Sequence, residues 1–194
     1  MSETKSDLPI VSFASDKEWE QWLEENGAAS NGVWIKMAKK ESGIASINHP
    51  QALDVALCFG WIDGQRLKFD DQHFLQKFTP RRAKSTWSKV NQDKVAALVA
   101  AGKMREAGFK EIERAKADGR WEAAYESQSK MAIPDDLQAA LDQNPKAQAF
   151  FDTLNSVNRY SILYRITTAK KAETRQKRLE KFIEMLNEGK KIYD

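Results

Sequence analysis

The run from Ala52 to Phe59 constrains the fold more than any other part of the chain. Ala52, Leu53, Val55, Ala56, Leu57 and Phe59 make it apolar on nearly every side of a helix. Such a helix is covered on most of its faces, so the rest of the chain has to pack around it. Asn48-His49-Pro50-Gln51 marks its start, because proline in a first turn removes an amide that has no helical partner anyway. Gly60 can close it in the left-handed conformation. The chain is then delivered to an expected turn at Trp61-Ile62-Asp63-Gly64.

The flanking pattern supplies the wrapping. Ile10 to Phe13 and Val33 to Met37 read as strands, with an amphipathic helix between them that starts at the capping pair Ser15 and Glu18. Gln65 to Phe69 and Phe74 to Thr79 read as a hairpin turning at Asp70-Asp71. Two helices follow, Lys89 to Ala101 with Val90, Val95, Leu98 and Val99 inward, and Glu106 to Asp118. From Ile133 the pattern is purely helical. Ala149, Phe150 and Leu154 form one expected contact, and Leu179, Phe182, Ile183 and Leu186 another. The expected fold class is α+β: a small antiparallel sheet packed with helices over residues 1–128, then an all-helical region over 129–194.

A chain of 194 residues buries roughly 70% of its unfolded surface and needs no covalent staple. Six Trp and nine Phe exclude a disordered chain. The one cysteine, Cys58, forms no internal disulfide and points to a reducing compartment. His49, a turn-count away on the helix, faces another direction, so Cys58 reads as buried and inert. The first residues are polar and no apolar run approaches about 18 residues, so the expectation is a cytoplasmic protein with no membrane span. No phosphate-loop, dinucleotide, nucleophile-elbow or zinc-ligand spacing is present, and no metal or cofactor is expected.

Charge is uneven. Residues 79–120 hold 11 Lys and Arg against 5 Asp and Glu, and residues 159–194 hold 10 against 5. The first block contains Pro80-Arg81-Arg82-Ala83-Lys84-Ser85-Thr86-Trp87-Ser88-Lys89-Val90-Asn91, the strongest anion-binding candidate. Arginine presents forked donors to phosphate or carboxylate. Ser85 adds a hydroxyl, Trp87 a stacking face and Asn91 an amide. Ser88 sits where a helix cap belongs. Upstream, Trp61 and Asp63 border the same stretch. Asp63 either caps backbone amides or pairs with an arginine packed nearby, or acts as an acid or base or as the partner of a basic ligand. Arg175 falls on the apolar side of the last helix, where a guanidinium requires a carboxylate or a ligand. Our expectation is that it points at the Gly60–Asp63 turn.

Three stretches together resemble the YdeI/OmpD-associated, or bacteriocin-protection, proteins with an OmdA-like C-terminal region. They are Ala56–Gly64, Thr79–Arg82 with Ser85–Ser88 and Asn91, and Ala169–Arg178. The resemblance runs from about residue 10 to the end. It implies a YjbR/CyaY-like first region and a role in tolerance of bacteriocins or antimicrobial peptides and in envelope stress. It implies no catalytic residues and no cofactor. The frataxin-like grouping hints at iron, yet Glu18, Glu20, Glu24 and Glu25 make no acidic ridge.

The reading that follows is a non-enzymatic bacterial protein binding an anionic ligand or partner through Trp61, Asp63, Arg81, Arg82, Ser85, Trp87, Asn91 and Arg175. Nucleic acid is one such ligand, although the basic groups are interleaved with acids. One alternative is a small-molecule enzyme with Asp63 as acid or base and Arg81, Arg82 and Arg175 holding an anionic substrate. A second is an adaptor docking a protein through its C-terminal helices.

Overall fold

The computed structural model describes residues 8–127 and 130–193. Two compact units emerge: Met1–Trp87 with Asn91–Ala123, and Ser88–Val90 with Ala124–Asp194. The architecture is α+β, as the pattern predicts.

The first unit is built on a sheet of β1 (Ile10–Val11), β2 (Val33–Ala38), β3 (Trp61–Lys68) and β4 (His73–Pro80), in the order β1-β2-β4-β3. β1 runs parallel to β2 and the other pairs are antiparallel. The sheet is therefore mixed rather than wholly antiparallel. The reason lies in α1 (Asp16–Asn26), which connects β1 to β2 as a helical crossover and returns the chain in its original direction. Ser15 Oγ accepts from the Glu18 amide, as expected, but Glu18 reaches one residue further back, to the Ala14 amide at 2.8 Å.

The apolar helix is α2 (His49–Cys58). Asn48 and Gln51 cap it reciprocally at 3.0 and 3.1 Å. Gly60, at φ 73°, makes the reversal in so short a space that β3 begins at Trp61. Trp61 to Gly64 is thus strand, not turn. Val33, Ile35 and Met37 share one sheet face with Phe78, Gln76 and Phe74, opposite which they are registered. Trp19 of α1 fills the space between that face and α2: its ring meets Phe78 and Trp61, and its Nε1 donates to Ala52 O at 3.0 Å. α3 (Lys89–Ala100) and α4 (Glu106–Ala117) complete the helices. In α3 Val95 and Leu98 face inward, whereas Val90 and Val99 are exposed. Apolar residues occur on too many sides of this helix for their spacing to select one face.

The second unit holds α5 (Asp135–Asp142), α6 (Pro145–Thr153), α7 (Ser156–Thr167) and α8 (Ala172–Asn187). Its core joins Leu137, Leu141, Phe151, Ile162, Ile166, Phe182 and Leu186. On α6 the buried pair is Ala147 and Phe151. Phe150 and Leu154 pack at the margin, one helical step from the expected stripe. Buried Asn158 pins the C-terminal segment, accepting from Ile192 N and Tyr193 N at 2.9 Å each.

Candidate functional site

The basic stretch after β4 folds as a loop held by two buried guanidiniums. Arg81 donates its amide to Gly60 O at 3.0 Å and Nη1 to Thr86 O at 3.1 Å. Its guanidinium lies 3.6 Å from the centroid of Trp87. Trp87 in turn packs on Trp121, the ring centroids 4.8 Å apart. Arg120 donates Nη1 to Ser85 O at 2.8 Å and Nε to both Asp118 oxygens at 2.7 Å. Those hydrogen bonds hold the Asp118 carboxyl below its ordinary range. Ser85 closes a turn, its Oγ accepting from Arg82 N and its amide donating to Arg82 O, both at 2.9 Å.

Two kinds of arginine result. Arg81 and Arg120 are 5% and 6% exposed and act on backbone carbonyls, a ring and the Asp118 carboxylate. Arg82 and Lys84 stand in solvent at the tip of the turn. Among the described residues neither is paired with a carboxylate. Trp87 is buried, so its face is already occupied by Arg81 and is closed to a ligand. Asn91 is half-buried on α3.

Asp63 lies at the edge of the sheet, on the face that carries Phe78. His49 Nε2 meets Asp63 Oδ2 at 2.9 Å, and the two side chains are 34% and 29% exposed. A bulge follows directly, between Asp63 and Arg66. Buried Gln76 holds that bulge by donating Nε2 to Gly64 O at 2.9 Å. Bulges re-aim side chains at sheet edges, and here the aimed side chain is a carboxylate on an imidazole. An imidazole oriented by a carboxylate is suited to proton transfer. Neither His49 as the partner of Asp63 nor Arg120 as a clamp on the loop is visible in the spacing. The one hint for His49 is its place at the first position of the helix that covers β3.

Trp61 and Arg175 each have partners within their own unit. Trp61 is 2% exposed and belongs to the aromatic core, edge-on to Trp19 and Trp22. Arg175 donates Nε and Nη2 to the two oxygens of Asp136 at 2.6 and 2.9 Å, and Nη1 to Ile166 O at 3.0 Å. Its carboxylate is therefore on α5 and not at the Asp63 strand. Cys58 is buried, and burial, aided by nearby Glu20, pushes its thiol up to about 11. Among the described residues no three metal-ligating side chains are gathered, and no helix is long and apolar enough to cross a membrane.

Residues 11–111 match the family described as a domain of unknown function (DUF8412). That span exceeds half of the chain. The chain belongs to this family. Residues 130–189 match a second family, described as Bacteriocin-protection, YdeI or OmpD-Associated. The second match bears out the resemblance for the helical region, where Ala169–Arg178 lies. The motifs at 56–64 and 79–91 fall within the DUF8412 span instead. No curated protein and no solved structure matches the chain.

Proposed function

We propose that this DUF8412 member is a non-enzymatic binding protein serving bacteriocin tolerance, and that it holds an anionic ligand or partner on the turn at Arg82–Lys84. One observation carries the reading. The backbone of the loop is fixed at Thr86 O and Ser85 O by buried Arg81 and Arg120, while Arg82 and Lys84 remain solvent-facing. A cationic turn that is rigid before binding loses little freedom when an anion arrives. The description of the family that residues 130–189 match supports a setting in bacteriocin tolerance. The test is a thermal-shift panel of inorganic phosphate, nucleotides and oligonucleotides. Stabilisation by an anion, weakening with salt and lost in the Arg82→Ala, Lys84→Ala double variant, is the expected result. Stabilisation that survives the double variant, or none from any anion, overturns it.

The His49–Asp63 pair favours a second reading, an enzyme on small anionic substrates with Asp63 orienting His49 as base. Here Asp63→Asn retains the fold and abolishes turnover of the substrate found. Undiminished turnover in Asp63→Asn counts against it.

A further inference from the structure

Along one side of α8 and the turn between α5 and α6 runs a groove of about 530 Å³. That volume lies in the range of ligand-binding clefts. Its floor is apolar, formed by Ala140, Leu179 and Ile183. Its end is set by Asn187, which donates to Asn144 Oδ1 at 3.3 Å, while Asn144 Nδ2 donates to Ala140 O at 2.9 Å. The walls are thus tied together before anything binds.

The charged residues of its lining are all acidic. Glu180, Glu184 and Glu188 line it, and no lysine or arginine does. They recur every four residues along α8 and its C-cap, so they form a single row about 12 Å long. Among the described residues Glu188 is the one of the three in an ion pair, with Lys190 at 2.7 Å, and the charge of Lys190 also reaches Glu184. The basic groups Lys177 and Lys181 of the same helix lie outside the lining, and Lys177 is already engaged by Glu173 at 2.7 Å.

An apolar floor beside a row of carboxylates matches one chemistry well. We propose that this groove receives a cationic amphipathic helix from a partner protein or peptide. Its apolar residues, at helical spacing, would lie on Leu179 and Ile183, and its lysines or arginines would face Glu180 and Glu184. An acidic helix is repelled by the rim, and a second copy of this chain brings the same glutamates to the contact. The groove belongs to the helical unit and the Arg82 turn to the first.

The test uses the full chain and a short fluorescent peptide of leucine and lysine at helical spacing, with a glutamate-for-lysine peptide as comparison. The lysine peptide is expected to bind with an affinity that falls as salt rises, and the glutamate peptide not to bind. Glu180→Gln with Glu184→Gln weakens the lysine peptide by roughly tenfold. Both positions are exposed, so the fold is unaffected. Arg82→Ala with Lys84→Ala leaves the peptide affinity unchanged, which separates this site from the anion site. Equal binding of both peptides, no binding of the lysine peptide, or indifference to the glutamine substitutions overturns the proposal. So does self-association of the chain through Ile183 in sedimentation.

Discussion

The guanidinium of Arg81 lies on the indole of Trp87, 3.6 Å from its centroid, and both side chains are buried. This stacked pair converts a basic stretch into a fixed loop. The arginine is a structural cation, and its charge is absorbed by a ring and by the carbonyl of Thr86.

Arg81→Lys therefore lowers stability although it keeps the charge. An ammonium cannot lie flat on the ring and carries no fork for the carbonyl. A loss of about 2 kcal/mol is expected by urea unfolding, from the buried cation–π contact and the hydrogen bond together. A lysine variant as stable as the parent would show that the stacking contributes nothing.

The His49–Asp63 contact is a weaker tie. Both side chains are about one-third exposed, so solvent screens the pair. A double-mutant cycle of His49→Ala and Asp63→Ala is expected to give a coupling of about 0.5–1 kcal/mol. A coupling of zero would mean that the 2.9 Å contact contributes nothing to stability.

Element types were legible because their signals are local. The proline-marked start at Asn48–Gln51, the glycine stop at Gly60 and the apolar period of α8 each lie within a few residues of sequence. What was not legible is tertiary pairing. Arg175 demanded a carboxylate by its place on the helix, but Asp136, which supplies it, is 39 residues away on another helix. Likewise Arg81 and Trp87 read as ligand groups because a cation beside an aromatic ring looks the same in sequence whether the pair faces solvent or each other. The pairings of Arg120 and His49 are not legible in sequence because their partners, Ser85 O and Asp63, are fixed only when loop and sheet close. The parallel pairing of β1 escaped for a related reason: strand direction follows from the crossover through α1, not from the strand's own residues.

The Arg175–Asp136 pair gives the helical unit an acid-sensitive joint. Hydrogen bonds from Arg175 hold the Asp136 carboxyl below its ordinary value of 3.8. Because the folded value is the lower one, the unfolded chain binds the proton more readily over this range. The stability that the pair supplies is present above pH 3.8 and fades as pH falls through the folded value. Asp136→Asn is expected to remove that part of the acid slope in unfolding of the helical unit, and to cost about 1 kcal/mol at neutral pH. An unchanged slope between pH 4 and pH 2 (roughly the window below the ordinary carboxylate range) would sink the assignment.

Gly108 sits inside α4, where alanine would ordinarily gain about 1 kcal/mol of helix propensity. Packing reverses the sign. A Cβ at this position would lie 2.3 Å from Cys58 O and 2.6 Å from the terminal carbon of Met104. Met104 can swing away, but Cys58 O cannot, because it already accepts from Arg105 N at 3.1 Å at the end of α2. The glycine at position 60, with its positive φ, meets α4 from the other side, where an added Cβ would stand 2.8 Å from Ala107 O. The two helices thus approach backbone to backbone through a pair of glycines. Gly108→Ala has to push α4 off α2, and a loss of about 2 kcal/mol is expected, of the size seen on overpacking a tight contact. Gly64→Ala is the control: there the added carbon meets Lys77 at an ordinary 3.8 Å, and stability should hardly change. Should Gly108→Ala prove as stable as the parent in urea, the close approach of α4 to the end of α2 is wrong, and with it the position of Arg105 on Cys58 O.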